Sequence, residues 1–313
     1  MVTGAQRIAL AFAALACTLV GVGCGARPGA GLAVGAPAAL PTSTRSHVAV
    51  VVMENQELSA VIGRHEAPYV NALARRYALA TNYYAIAHPS LPNYLAMIGG
   101  STFGVHSDCT DCSVSATNLV DQLEQSRVSW RAYMEGLPSA CDTAADSGGY
   151  AKKHDPFLYF RDVVSSRARC SQVVPYASLS NDLRSGRLAD FVWLTPNLCD
   201  DGHDCSLGQA DRYLASVVPA LLRELGPSGV LILTWDEGTS DRSCCGGQAA
   251  GGRVATIVAG PGARAATVSA TPYDHYSLLR TVEDLLGLSH LGRAADPHTR
   301  SLDALLARPG RLL

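Results

Sequence analysis

Ser90 stands in the stretch His88-Pro89-Ser90-Leu91-Pro92-Asn93-Tyr94, a hydroxyl between two prolines with a helix-compatible run, residues 94–98, behind it. Pro92 suits the first turn of a helix, where its missing N–H would be unpaired anyway. Ser90 then lies at or just before a helix N-terminus. Free N–H groups and the helix dipole at that point favour an anion such as phosphate. The chemistry this suits is a nucleophile that becomes an alkoxide and then holds a phosphoryl group. Alone, the same residues read first as an ordinary Ser N-cap with Pro in the first turn.

Three apolar runs end in acidic residues. Residues 47–53 are followed by Glu54-Asn55-Gln56-Glu57. Phe191–Thr195 is followed by Pro196-Asn197-Leu198-Cys199-Asp200-Asp201-Gly202-His203-Asp204, and residues 229–235 by Asp236-Glu237-Gly238. Any one of these ends reads as a loop, since Asp, Asn and Gly are common turn residues. Three together predict carboxylates converging at one edge of a sheet, where they repel unless protons or a cation compensate. Oxygen ligands from Glu54, Asn55, Asp236 and Glu237 suit a divalent metal ion. Nothing in the sequence selects among Mg, Ca, Mn and Zn.

The histidines divide by context. His203 lies inside a loop expected to be closed by Cys199 and Cys205, with Asp201 or Asp204 placed to orient it, and is the candidate acid and base. His88, two residues before Ser90, is the runner-up for that role or a support for the site. His154, in Lys152-Lys153-His154-Asp155-Pro156, belongs with Lys153 to a basic pocket for phosphate oxygens, or to a solvated turn. His275 is a metal ligand or a packing residue at a helix start.

The elements that must carry these groups alternate between short buried runs and amphipathic segments. Strands are expected at 47–53, 128–134, Phe191–Thr195, 229–235 and 254–259. Helices are expected at 67–79, 119–124, 210–225 (kinked or split by Pro219) and 276–286, with Gly287 at a helix stop. Alternation of this kind gives an α/β fold with a mostly parallel central sheet flanked by helices, and active sites in such sheets gather beyond the carboxyl ends of the strands.

The chain has 313 residues, 48% of them hydrophobic, and a formal net charge of -2. It has no long basic run, so no nucleic-acid partner is expected. Residues 1–24 read as an export signal, with Arg7 before an apolar run and Gly21-Val22-Gly23-Cys24 resembling a lipoprotein cleavage site; Cys24 is then a possible membrane tether. Residues 25–46 are an Ala/Gly/Pro-rich linker, and 47–313 one catalytic domain. Eight further cysteines favour disulfides over zinc ligation in an exported chain. The expected pairs are Cys109–Cys112, Cys141–Cys170 and Cys199–Cys205. Cys244 and Cys245 are adjacent and unassigned.

Val50-Val51-Val52-Met53-Glu54-Asn55, the Ser90 stretch, Tyr150-Ala151-Lys152-Lys153-His154-Asp155-Pro156, Thr195-Pro196-Asn197 through His203-Asp204, and Thr234-Trp235-Asp236-Glu237 occur in an order that resembles the bacterial phosphoesterase family. That family includes acid phosphatases, among them enzymes acting on phosphatidylinositol 3-phosphate, and phospholipases C. It belongs to the alkaline phosphatase superfamily, so the resemblance implies an α/β/α sandwich. It also implies Glu54, Asn55, Asp236 and Glu237 as metal ligands, Ser90 as nucleophile, Asn93 on the phosphate and His203 in the active site. Lys153, His154 and Asn197 are expected on the substrate side. Gly202 departs from the pattern, which has Met there. The implied activity is an exported, monomeric, metal-dependent phosphomonoesterase working through a phosphoserine on a small phosphate ester or a phospholipid headgroup. A phospholipase C-like or nucleotide phosphodiesterase is the alternative, and a non-catalytic exported binding lipoprotein a third reading.

Overall fold

Val48–Met53 (β1) is apolar and fully buried at every position, as a strand covered on both faces must be. The computed structural model describes residues 46–307, so the expected signal, Cys24 and the linker up to residue 45 lie outside the described residues. After β1 come α1 (Leu58–Val61), α2 (Pro68–Arg76), β2 (Ala78–Tyr84), α3 (Ser90–Gly99), α4 (Leu119–Gln125), β3 (Trp130–Met134) and a small hairpin, β4 (Asp146–Ser147) with β5 (Tyr150–Ala151). Then follow α5 (Arg161–Val164), α6 (Arg167–Cys170), β6 (Val173–Pro175), α7 (Ala177–Ser185), β7 (Phe191–Thr195), α8 (Leu207–Glu224), β8 (Val230–Trp235), β9 (Arg253–Ala259), β10 (Thr267–Ser269), β11 (Tyr273–Asp274) and α9 (His275–Leu286).

The main sheet runs β10-β2-β9-β8-β1-β7-β3-β6, with β11 also on β2. β1 pairs in parallel with β7 and β8, and β3 in parallel with β6 and β7. β9 is antiparallel to both neighbours. The loop 236–252 brings the chain back from β8 without an α-helix, and a parallel return would need a longer crossover. Helices flank the sheet, with α2 packed on α8 and α3 on α9. The fold is therefore the mostly parallel α/β arrangement the alternation predicts.

Two expectations need correction. The helix expected over 67–79 ends at Arg76, and Ala78 and Leu79 begin β2. Ala-Leu-Ala carries no β-branched signal; pairing with β9 and β10 decides its state. Pro219 neither ends nor divides α8. The buried stripe Tyr213, Leu214, Val217, Val218 and Leu221 spans the proline. Each such side chain contributes roughly 1.5–3 kcal/mol, which together offsets the roughly 3 kcal/mol cost of an internal proline.

Cys109–Cys112, Cys141–Cys170 and Cys199–Cys205 are bonded, and Cys244 bonds its neighbour Cys245. Among the described residues, no helix is long and apolar enough to cross a membrane.

Candidate active site

Met53 pairs with Trp235 in the β1–β8 register, so Glu54 and Asp236 leave adjacent strands side by side. The Asn55 N–H ties the two ends together by donating to Asp236 Oδ1 at 3.0 Å. On the other flank of β1, the loop after β7 folds back until the Glu54 N–H donates to the Asp201 carbonyl at 3.1 Å. Asn197 shapes that loop: its Oδ1 accepts the N–H groups of Cys199 and Asp200 at 2.9 and 3.0 Å. His154 arrives from a 3₁₀ turn, Lys152–His154, and stacks on the Tyr94 ring. Its Nε2 lies 3.3 Å from Glu54 Oε2 and its Nδ1 3.6 Å from Asp201 Oδ2.

Ser90 is the first residue of α3 and is buried. Its hydroxyl lies 3.3 Å from Glu54 Oε2 and 3.1 Å from Glu237 Oε1. Asn93 fixes the preceding loop. Its Oδ1 accepts the N–H groups of Ile86 and Ala87 at 2.8 and 3.0 Å, and its amide donates to the Ala87 and Pro89 carbonyls at 2.8 and 3.2 Å. The same loop runs against Gly251, where a Cβ would fall 2.5 Å from the Ala87 carbonyl oxygen. Tyr94 donates its hydroxyl to Glu54 Oε1.

The electrostatics are those of an overcrowded acidic site. Burial, and then the charges of Asp236 and Asp201, hold Glu54 well above the usual carboxylate range. Burial and the charge of Glu237 push Asp236 up to about 7, and burial pushes Asp201 up to about 8. Burial, with Lys153 and His203 nearby, holds His154 well below the ordinary histidine value. Asp236 Oδ2, Asp201 Oδ2 and His154 Nε2 are buried with no hydrogen-bond partner; the approach of Nε2 to Glu54 lacks hydrogen-bond geometry. Buried groups left in that condition cost about 1–3 kcal/mol each. Ligand atoms of Glu54, His154 and Asp201 lie within 4.8 Å of one another. Carboxylate oxygens with one imidazole, buried and unpaired, fit a divalent cation.

Basic groups line the approach. His88 pairs with Glu237 Oε2 through Nδ1 and reaches the Ser240 carbonyl through Nε2 at 3.2 Å. Burial works against its proton, but the bond to Glu237, the Ser240 carbonyl and the charges of Glu237 and Asp241 together outweigh that and raise its pKa. His203 is fixed by Asp204, whose Oδ1 lies 2.7 Å from Nδ1, and its Nε2 faces Lys153 Nζ at 3.4 Å. Lys153 Nζ also donates to Asp108 Oδ2 at 3.1 Å.

Residues 54–289 match the phosphoesterase family. This chain belongs to the phosphoesterase family. It is 32% identical over 285 residues to a phosphatidylinositol-3-phosphatase of Mycobacterium tuberculosis, covering 90% of this chain and 89% of that one. It is 29% identical over 257 residues to a probable acid phosphatase of Kluyveromyces lactis, covering 78% of this chain and 59% of the yeast protein. A solved structure from Vibrio parahaemolyticus, a protein of the alkaline phosphatase superfamily, superposes with a TM-score of 0.56 at 10% identity, over 82% of this chain and 71% of that one, and shows the shared fold. Membership makes the phosphoesterase a hydrolase of phosphoric ester bonds.

Within this phosphoesterase, Ser90, Glu54, Asp236 and Glu237 come together as the sequence places them. Asn55 joins through its backbone. Asn93 spends its side chain on the loop backbone, and Asn197 on the backbone of its own loop and the Asp200 carboxylate. His275 is buried beneath the site, with Nε2 2.5 Å from the Asp236 carbonyl oxygen and Nδ1 3.0 Å from the Tyr83 hydroxyl. Its place supports the β8 end. His154 and Asp201 sit deeper than the sequence reading puts them, among the ligand-type groups, and Asp108 was not singled out there at all. Their turns lack periodicity, so only tertiary contact reveals them.

Proposed function

We propose that the chain is a metal-dependent phosphomonoesterase in which Ser90 carries the phosphoryl group. The observation that carries this reading is the Ser90 hydroxyl at the first position of α3, between Glu54 and Glu237 and beside three buried ligand atoms without partners. Glu54, His154, Asp201 and Asp236 would hold the cation, which when bound lowers the pKa of the Ser90 hydroxyl and offsets charge on the phosphoryl oxygens.

Ser90 gives its proton to Glu237 or Glu54 as Oγ attacks phosphorus. The Oγ–P bond forms while the bond to the ester oxygen breaks, and that oxygen takes the Nε2 proton of His203 in its imidazolium form. Asp204 holds the opposite ring nitrogen and so fixes the ring for this transfer. Lys153 and the N–H groups at the start of α3 receive non-bridging oxygens. His203, now lacking that proton, accepts one from the water that attacks phospho-Ser90. Inorganic phosphate leaves and Ser90 regains its hydrogen.

For substrate, the likeness to the mycobacterial phosphatidylinositol-3-phosphatase supports phosphoinositide or other phosphomonoester headgroups. Four disulfides among the described residues support an oxidising, exported setting. The test is hydrolysis of p-nitrophenyl phosphate, bis-p-nitrophenyl phosphate and phosphatidylinositol 3-phosphate, with and without chelator, followed by mass spectrometry of acid-quenched enzyme. Monoester turnover lost on chelation, with phosphate on Ser90, is expected. Ser90→Ala should lose on the order of a thousandfold or more in kcat. A label on another residue, or a Ser90→Ala enzyme that keeps substantial activity, removes Ser90 as nucleophile.

A further inference from the structure

We propose that Asp108 is a built-in competitor for the phosphate position, holding in the resting enzyme the donors that the substrate must take over. This rests on the reading of Ser90 as nucleophile.

Asp108 Oδ1 accepts the Leu91 N–H at 3.0 Å, and Oδ2 accepts Lys153 Nζ at 3.1 Å. Leu91 follows Ser90 directly, so its N–H is one of the first-turn donors that find no partner within the ten-residue α3 itself. Lys153 precedes His154, and its ammonium faces His203. These two donors come from separate elements and meet on one carboxylate, one of them on the residue that follows Ser90. A carboxylate bridging them places two oxygens where two non-bridging oxygens of a phosphoryl group on Ser90 would lie.

The two occupants exclude each other. Lys153 has three ammonium protons and can serve Asp108 and a phosphate together. The Leu91 N–H has one proton and donates to one acceptor. A phosphate set beside an unmoved Asp108 would also meet a like charge with Glu54, Asp236 and Glu237 close by, and the charge of Asp108 already reaches Glu237.

The surrounding backbone allows an exchange without a large movement. Before Asp108, the Val105 N–H is held by the Thr102 carbonyl at 2.9 Å. After it, the Cys109–Cys112 disulfide and the Lys152 bond to the Thr110 carbonyl at 2.8 Å hold the turn. The Asp108 side chain is 26% exposed, so rotation of that side chain toward solvent frees the Leu91 N–H. Asp108 then lowers affinity for the ester and for the released phosphate alike, because only the fraction of enzyme with the carboxylate turned out can bind either. On return it displaces the product.

The experiment measures inorganic phosphate binding by calorimetry, and KM for p-nitrophenyl phosphate, on the full chain and on Asp108→Ala and Asp108→Asn. Both the phosphate Kd and KM should fall about tenfold in Asp108→Ala. In Asp108→Asn they should fall by less, since the amide oxygen still accepts from Leu91. Either quantity unchanged or raised in both variants overturns the proposal and leaves Asp108 as a residue that positions Lys153. The calorimetric arm needs no turnover. An enzyme that hydrolyses no phosphate ester would refute the proposed activity, and the phosphate affinities would still decide the role of Asp108.

Discussion

Both ends of the central strands bury polar groups, yet they treat those groups in opposite ways. At the amino ends, Asp190 Oδ2 accepts both the N–H and the hydroxyl of Ser129, at 3.1 and 2.6 Å, while the Asp190 N–H donates to the Ser129 hydroxyl at 2.9 Å. His47 Nδ1 lies 2.8 Å from the Ala189 carbonyl oxygen. At the carboxyl ends, Asp201, Asp236 and His154 keep buried atoms without partners, in a cluster where like charges face one another. Folding alone would select the first arrangement, because a buried polar group is normally paired. The second persists where the missing partner is something the protein binds.

Asp236→Asn tests that contrast most strongly. Removing one carboxylate relieves repulsion, so the metal-free variant should be more stable than the metal-free parent by about 1–3 kcal/mol. Turnover should drop by at least about a hundredfold, since the cation loses a ligand. Thermal melts in chelator and with added Mg, Ca, Mn or Zn should show a cation-induced rise in Tm for the parent and little for the variant. A variant that keeps both the rise and the turnover would make the carboxyl end merely a poorly satisfied one.

The same contrast explains what the sequence reveals. β1, β7 and β8 are readable because burial on both faces demands unbroken apolar runs, and Glu54 and Asp236 stand out because each ends such a run. α9 is readable from its apolar periodicity and from Gly287, which holds φ 66° at the helix stop. β2 is hidden, because Ala78, Leu79 and Ala80 become a strand only through β9 and β10. Asp108 is hidden too, as is the place of His154 among the ligand-type groups. They come from irregular turns, and stacking on Tyr94 and the Lys153 contact fix where they lie. Asn93 carries a further lesson. An Asn six or seven residues after a loop is placed to bond that loop's backbone, and such local use competes with any role toward substrate.

The amino end offers the reverse test. Asp190→Ala removes the acceptor for Ser129 and should lower stability by about 1–3 kcal/mol, read from urea denaturation. kcat and KM on p-nitrophenyl phosphate should stay within about twofold of the parent, because additivity holds for separated sites. A collapse of kcat in a variant that still melts cooperatively would mean that the two ends are coupled through the strands, and the division between them would fail.

Glu283 on α9 supplies the finest test, since it too has an unpartnered oxygen but lies outside the acidic cluster. Its Oε1 accepts the Leu291 N–H at 2.9 Å, Oε2 has no partner, and burial pushes its pKa from 4.5 up to about 8. The folded protein thus keeps a proton that the unfolded chain loses above its own, lower pKa. The stability this gives is complete below about pH 4.5 and is lost as pH rises through about 8. Glu283→Gln removes that dependence. It should match the parent in acid and exceed it by on the order of a few kcal/mol above that window, measured by denaturation in chelator across pH. Its cation-induced rise in Tm should equal the parent's. If Glu283→Gln abolished that rise as Asp236→Asn does, unpartnered oxygens would mark burial in general, and the carboxyl end of the sheet would lose its claim to a ligand.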